Sequence, residues 1–178
     1  MKKLIAYYSR SGQNYFGGQI KEVEVGNTEK LANVINEVID GDIYKIEQVN
    51  PYSNDYRTCV KQALEDNKND SRPELKNMLD SIDDYDVIYL GYPNYCGTMP
   101  MAVFTFLDSF DFSDKTVYPF CTHEGSGFGH SLNDLRKYCS YVGRGIEIVG
   151  SKVDQKKDEI ISWLREIQWL NKQREEIV

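Results

Sequence analysis

The sequence contains no long hydrophobic run: nowhere do about 18 apolar residues follow one another, as a membrane-spanning helix requires. The amino terminus reaches polar Ser9 too early for a signal peptide, so we expect a cytoplasmic protein without a membrane span. An excess of basic residues is also missing, since 21 Lys and Arg stand against 28 Asp and Glu, for a net charge of −7. A nucleic-acid partner needs a basic face, so none is expected, and a basic partner protein is favoured.

Cysteine and histidine are sparse and do not form a metal-binding pattern. The four cysteines are Cys59, Cys96, Cys121 and Cys139. They show neither C-x-x-C spacing nor a histidine at zinc-finger intervals, so we expect free thiols and no metal site. The adjacent pair His123 and Glu124 does not change this expectation, because neighbouring residues rarely point at one ion.

The length and the hydrophobic pattern indicate one α/β domain. With 178 residues, 40% hydrophobic and 28% charged, the chain is long enough for one core and too short for two. We predict a domain over residues 1–170 and a polar C-terminal extension over residues 171–178. Short apolar runs alternate with helical periodicity, which is typical of a parallel sheet covered by helices. The predicted strands are 4–8, 43–47, 86–91, 116–122 and 145–150, and the predicted helices are 28–39, 55–67, 100–110, 129–141 and 155–171.

The loop after the first predicted strand has the composition of an anion site. Ser9 and Ser11 follow the strand, and Thr28 stands at the start of the first helix. Hydroxyls and the N–H groups at a helix start bind phosphate, and the helix dipole favours negative charge there. On these residues alone, a helix cap with turn-forming glycines is an equally good interpretation.

Two further loops have a composition that suits a flat ligand. After the third strand, residues 91–100 are rich in aromatic side chains, with a flexible Gly97 between two prolines. After the fourth strand, residues 121–131 place three glycines around Phe128, so backbone can approach a ligand closely. The loop of residues 91–100 can also be a tight connection, with Pro100 in the first turn of the helix that follows. The glycines of the second loop are not a dinucleotide fingerprint, because they follow the fourth strand instead of the first.

The segment from Tyr7 to Gly12, continued by Gly26, Asn27 and Thr28, resembles the phosphate loop of flavodoxins, split by residues 13–25. The resemblance implies a flavodoxin-like, doubly wound three-layer sandwich. Its five-stranded parallel sheet has the order 2-1-3-4-5 and helices on both faces. It also implies one non-covalent FMN at the carboxyl edge of the sheet, and a peptide within residues 94–97 that changes orientation with the redox state. The implied cofactor contacts are Ser9, Ser11, Asn27, Thr28, Pro93, Asn94, Tyr95, Cys96, Gly97, Thr98, Thr122, His123, Glu124, Gly125, Gly127 and Phe128.

The resemblance implies an electron-transfer flavoprotein that shuttles electrons between a reductase donor and an acceptor protein by one-electron flavin chemistry. An NAD(P)H-dependent FMN quinone reductase on the same fold is the alternative, although acidity and a short chain favour the carrier. A phospho-receiver is excluded because no paired acids follow the first strand, and a low-molecular-weight phosphatase because no cysteine begins a C-x5-R motif. No catalytic residue is predicted.

We expect the inserted segment 13–25 to fold over the mouth of the site as a hairpin.

Overall fold

The computed structural model describes residues 1–175, which form a six-stranded sheet with helices on both faces and a separate two-stranded hairpin. The strands are β1 Lys3–Tyr7, β2 Gly12–Phe16, β3 Gln19–Val23, β4 Asp42–Lys45, β5 Val87–Pro93, β6 Phe112–His123, β7 Cys139–Val142 and β8 Ile146–Val149. The helices are α1 Asn27–Ile39, α2 Tyr56–Lys68, α3 Met101–Asp108, α4 Ser131–Leu135 and α5 Lys157–Glu175, with a 3-10 helix at Gly150–Gln155.

The main sheet has the order β4-β1-β5-β6-β7, with β8 also paired to β6, and its strand pairs are parallel. This confirms the predicted doubly wound sandwich, but the predicted number of five strands is wrong. Strand β6 is 12 residues long, and two short strands share its outer edge. The first half of β6 pairs with β7 through Val117 and Val142, and the second half pairs with β8 through Phe120 and Ile146.

The additional strand β7 replaces the second half of the predicted helix 129–141. Helix α4 ends at Leu135, and the chain then extends along the beginning of β6, where Cys139 is in register with Phe112. Because β6 begins at Phe112, earlier than predicted, its first half needs a hydrogen-bonding partner. The backbone of β7 provides this partner, and Cys139 is buried there against the sheet.

The central strands β1 and β5 are buried on both faces, and their alternate residues enter different cores. In β1, Leu4 and Ala6 belong to one core, while Ile5 and Tyr7 belong to the other. Helices α1 and α5 cover the second core, and α3 covers the first together with the irregular segment that precedes β5. This arrangement confirms the three predicted layers and fixes the carboxyl ends of β1, β5 and β6 side by side.

Helix α2 is placed differently from the other helices. Its main contacts are with β2 of the hairpin and with α3, and its buried residues are Cys59 and Ala63. The side chain of Asp55 caps the helix by accepting a hydrogen bond from the backbone N–H of Thr58 at 2.8 Å. Helix α2 therefore lies beside the carboxyl edge of the sheet, and its apolar side faces the loops at that edge.

Helix α5 continues through the beginning of the predicted extension 171–178. Asn171 is buried, and its side-chain oxygen accepts a hydrogen bond from the Tyr118 hydroxyl at 2.7 Å. Residues 176–178 of the predicted extension lie outside the described part of the chain. Among residues 1–175, no helix is both long and apolar enough to cross a membrane.

Candidate functional site

The three predicted loops meet around one cavity of about 480 Å³ at the carboxyl edge of the sheet. The loops after β1, β5 and β6 form its inner wall, and the hairpin and α2 form its outer wall. The predicted residues that line it are Ser9, Asn27, Thr28, Pro93, Asn94, Tyr95, Cys96, Thr122, His123 and Glu124. The fold therefore brings into one site residues that are far apart in the sequence.

The start of α1 forms one end of the cavity. Its N-cap, Gly26, has no capping side chain, and the hydroxyl of Ser9 accepts a hydrogen bond from the Glu29 N–H at 3.1 Å instead. A Cβ at Gly26 would lie 2.2 Å from Ser9 Oγ, so only glycine allows this approach. The N–H groups of Asn27 and Thr28, in the first turn, have no partner within the helix and point towards its amino-terminal end.

Three side chains add polar groups beside these N–H groups. The hydroxyls of Thr28 and Thr122 lie 2.7 Å apart, and because one hydrogen suffices for this bond, the second hydrogen remains available to a ligand. The side-chain oxygen of Asn27 is buried and has no hydrogen-bond partner. Buried polar atoms are almost always paired, and an amide flip would present the NH₂ group at the same position. This end of the cavity has the donors of an anion site.

The loop after β5 contains a tight turn at the cavity. The backbones of Tyr95 and Thr98 exchange two hydrogen bonds of 2.8 and 3.0 Å around Cys96 and Gly97. Both central residues have positive φ values, 56° and 80°, which is typical of a type I′ turn. For a residue with a side chain, this conformation costs roughly 1–2 kcal/mol, so Cys96 is held in place by its surroundings.

Hydrogen bonds from the next loop hold this turn. The amide of Asn94 accepts from the Gly97 N–H at 3.0 Å and donates to the Gly127 carbonyl at 2.8 Å. The His130 N–H donates to the Gly97 carbonyl at 2.8 Å, and the His130 ring bonds to Asp134 at 2.7 Å. The side chain of Asn94 therefore supports the wall of the site by joining two of its loops.

Asp134 completes this support from behind the turn. Its carboxylate accepts hydrogen bonds from the Thr98 hydroxyl at 2.7 Å and from Lys137 at 2.6 Å. Burial alone would raise the pKa of Asp134, but the hydrogen bonds from Lys137, Thr98 and His130 lower it. The carboxylate is therefore charged at neutral pH and fixes the carboxyl end of the turn.

The hairpin β2–β3 covers the cavity and is tied down at its tip. Residues Asn14 and Tyr15 of β2 line the cavity, which confirms the predicted hairpin over the site. The carboxylate of Glu124 accepts hydrogen bonds from the hairpin turn, at the Gly17 N–H, over 3.1 Å. It also accepts from the N–H and hydroxyl of Ser151, at 2.7 and 3.1 Å. Glu124 thus links the hairpin tip to the edge of the sheet.

Arg10 holds the base of the hairpin. Its guanidinium donates to the carbonyl of Gln13, to the carbonyl of Ser53 at 2.5 Å and to that of Asn54 at 2.9 Å. Among the lining residues that the structure describes, Arg10 is the one Lys or Arg side chain. The carbonyls of Ser53 and Asn54 lie near Arg10 only in the folded chain, so a sequence pattern does not reveal these hydrogen bonds.

The remaining predicted residues lie behind or beside the cavity. Ser11 is exposed, Thr98 is buried against Asp134, and the Phe128 N–H donates to Glu147 at 2.8 Å. Gly97, Gly125 and Gly127 are also outside the lining. The lining residues that were not predicted are Arg10, Asn14, Tyr15, Tyr56, Cys59, Val60, Ala63, Leu64, Ser126 and Gly150.

Apart from Arg10 and Glu124, which hold the hairpin, much of the wall away from the anion end is neutral. Burial raises the pKa values of the Tyr95 phenol, of the Tyr8 phenol packed against it, and of the Cys59 and Cys96 thiols. All four cysteines are free, as predicted. Residues 1–175 contain no cluster of three or more His, Cys, Asp or Glu side chains that could hold a metal ion. The arrangement suits a ligand with an anionic end and a flat, neutral end.

Comparison with known proteins agrees with this geometry. Residues 2–167 match the model of the flavodoxin family. A flavoprotein structure from Bacteroides uniformis is 26% identical, with a TM-score of 0.71 over 92% of this chain and 97% of that one. The structure of a flavoprotein in complex with FMN from Lactobacillus acidophilus is 23% identical, with a TM-score of 0.60 over 86% and 97%. An uncharacterized protein of Methanocaldococcus jannaschii is 27% identical over 73% of this chain and 67% of its own length.

Proposed function

Since the chain belongs to the flavodoxin family, we propose that it binds one FMN non-covalently in this cavity and transfers electrons between redox partner proteins. The cavity lies outside the carboxyl ends of β1, β5 and β6, where doubly wound sheets bind their ligands. The flavoprotein of Lactobacillus acidophilus, which shares this fold, is in complex with FMN. This location and this relative support the cofactor assignment.

The observation that carries the proposal is the Asn27 amide at the start of α1, whose buried oxygen has no partner, so that the flipped amide would present its NH₂ group to an anion. We assign the FMN phosphate to this end, held by the Asn27 amide, the Ser9 and Thr28 hydroxyls and the free N–H groups of the first helical turn. Helix starts of this kind bind phosphate through N–H groups and the helix dipole. No lysine is needed, and no lysine lines the described cavity.

The isoalloxazine ring is assigned to the neutral part of the cavity. FMN supplies the capacity to accept and release electrons. The protein supplies two loops that orient the ring: the turn around Cys96 and Gly97, and the segment from Thr122 to Ser126. Tyr95 offers an aromatic side chain in the first of these loops, and the covering hairpin excludes water. The reorientation of a peptide within residues 94–97 stays a prediction.

We propose that the partners are proteins, a reductase that donates electrons and an acceptor, and that the carrier works in the cytoplasm. A net charge of −7 favours partners with a basic docking face. Hydrogen bonds hold the hairpin over the cavity at its tip, through Glu124, and at its base, through Arg10. The cofactor therefore remains in place between encounters with partner proteins.

Anaerobic reduction of the FMN-loaded protein tests this function. A carrier accepts electrons rapidly from a flavodoxin reductase supplied with NADPH, and only slowly from NADH or NADPH alone. Rapid reduction by either nicotinamide without a reductase, with turnover on a quinone, would favour the alternative enzyme over the carrier.

A further inference from the structure

One wall of the cavity is an apolar side of α2 that remains exposed. Tyr56, Val60 and Leu64 are spaced four residues apart, so they share one side of the helix, and all three line the cavity. Val60 and Leu64 are 37% and 52% exposed. Large apolar side chains that line a cavity and remain this exposed indicate a surface that a ligand covers.

An aromatic side chain from the hairpin extends this wall. The ring of Tyr15 stacks on the ring of Tyr56, with centroids 6.3 Å apart and planes inclined by 28°. Tyr15 is itself 43% exposed. The two rings offer faces and edges on which another flat aromatic ring packs favourably.

The same wall carries no charge at neutral pH. Burial raises the pKa of Tyr56, and that of the Cys59 thiol behind it. Arg10, the cation of the lining, donates to three backbone carbonyls, and Glu124 already accepts from Gly17 and Ser151. A charged group placed against the apolar side chains of Val60 and Leu64 would lose hydration, and these side chains offer it no hydrogen bond, so they favour an uncharged ligand.

The wall lies inside a cavity of small-molecule size. The hairpin is bonded at its base through Arg10 and at its tip through Glu124, and so it stands over α2 as a fixed cover. The cavity volume of about 480 Å³ is within the range of small-molecule sites, whereas a protein partner needs a far larger surface.

We propose that the wall formed by Tyr15, Tyr56, Val60 and Leu64 is a second ligand subsite, for a small, uncharged, planar aromatic molecule bound beside the flavin. This inference rests on the proposed function, because FMN is assigned to the anion end and to the loops after β5 and β6. It adds a small-molecule ligand to the protein partners of a carrier.

Binding of menadione, a neutral planar quinone, to the oxidised, FMN-loaded protein tests the subsite by ligand-observed NMR. We expect saturable binding that leaves FMN in place, and much weaker binding of the negatively charged naphthoquinone sulfonate. Leu64→Gln replaces an exposed apolar side chain by a polar one, so the fold is retained and menadione binding weakens about tenfold. The matched control is Leu170→Gln, the same change at an exposed leucine of α5, which leaves binding unchanged.

The outcomes separate the two proposals. A protein that binds no FMN refutes the proposed function before menadione is added. If FMN binds but menadione does not, or if the Leu64 and Leu170 variants bind menadione equally well, the subsite is refuted. Equal binding of the sulfonate refutes the uncharged ligand class. If menadione displaces FMN, or if Leu64→Gln weakens FMN itself, the wall belongs to the flavin site and the inference is wrong.

Discussion

The hydroxyl pair of Thr28 and Thr122 allows the anion end of the cavity to be tested by an almost isosteric change. The variant Thr28→Val keeps the shape of the side chain and replaces its hydroxyl by a methyl group. The two residues are only 2% and 3% exposed, and their oxygens lie 2.7 Å apart. Valine therefore leaves the Thr122 hydroxyl buried without this partner, which lowers the free energy of unfolding by about 1–3 kcal/mol.

The same change removes one donor to the FMN phosphate. A hydrogen bond to a charged group contributes about 1.5–3 kcal/mol, which corresponds to a loss of affinity between about tenfold and about a hundredfold. The control Thr28→Ser keeps the hydroxyl and is expected to retain most of the affinity. Fluorescence titration of the apo-protein with FMN gives the dissociation constant, and urea unfolding gives the stability.

A double variant separates the two effects. In Thr28→Val with Thr122→Val, the unpaired hydroxyl is gone, so the loss of stability is smaller than the sum of the two single losses. FMN affinity stays low, because neither threonine hydroxyl remains to donate to the phosphate. The assignment would be refuted by a folded Thr28→Val protein that binds FMN as tightly as the wild type.

Three further predictions concern the cover and the turn. Glu124→Gln weakens the charge-assisted hydrogen bonds that hold the hairpin tip, so we expect FMN release, measured by stopped flow, to become several-fold faster. An unchanged release rate would mean that the hairpin is no barrier to FMN. Tyr95→Ala admits water beside the ring and raises the potential of bound FMN by a few tens of millivolts, at about 59 mV per tenfold; a potential and an FMN affinity both equal to the wild type would place Tyr95 away from the flavin. Because hydrogen bonds lower the pKa of Asp134, its stabilisation is present above the ordinary value of 3.8 and is lost as the pH falls below it. Urea unfolding of Asp134→Asn should therefore show a smaller loss of stability on acidification than the wild type, and equal losses would contradict this role.

The central strands could be predicted from the sequence because burial on both faces makes them short, continuous apolar runs. β1 and β5 lie within about two residues of their predicted bounds. The strand β7 could not be predicted, since Leu132, Leu135 and Cys139 keep the spacing of a helix. Its conformation depends on the unpaired first half of β6, a partner distant in sequence.

The loops of the site were predictable because glycines, hydroxyls and aromatic residues reflect local backbone requirements. The outer wall of the cavity could not be predicted from the sequence. The apolar spacing of Tyr56, Val60 and Leu64 indicates a helix but not which element the helix faces, and here it faces the cavity instead of the sheet. The contacts of Arg10 with carbonyls at 53 and 54 likewise depend on chain segments that only folding brings together.

Titration of the apo-protein with FMN and with riboflavin is the decisive test of the phosphate site, because the two flavins differ only in the phosphate. We place this phosphate on Ser9, Asn27 and Thr28 at the start of α1. We therefore expect one FMN per chain and an affinity for riboflavin at least about a hundredfold weaker, which corresponds to the loss of two or more bonds to a charged group. Equal affinities for the two flavins, or no binding of either, would contradict this placement.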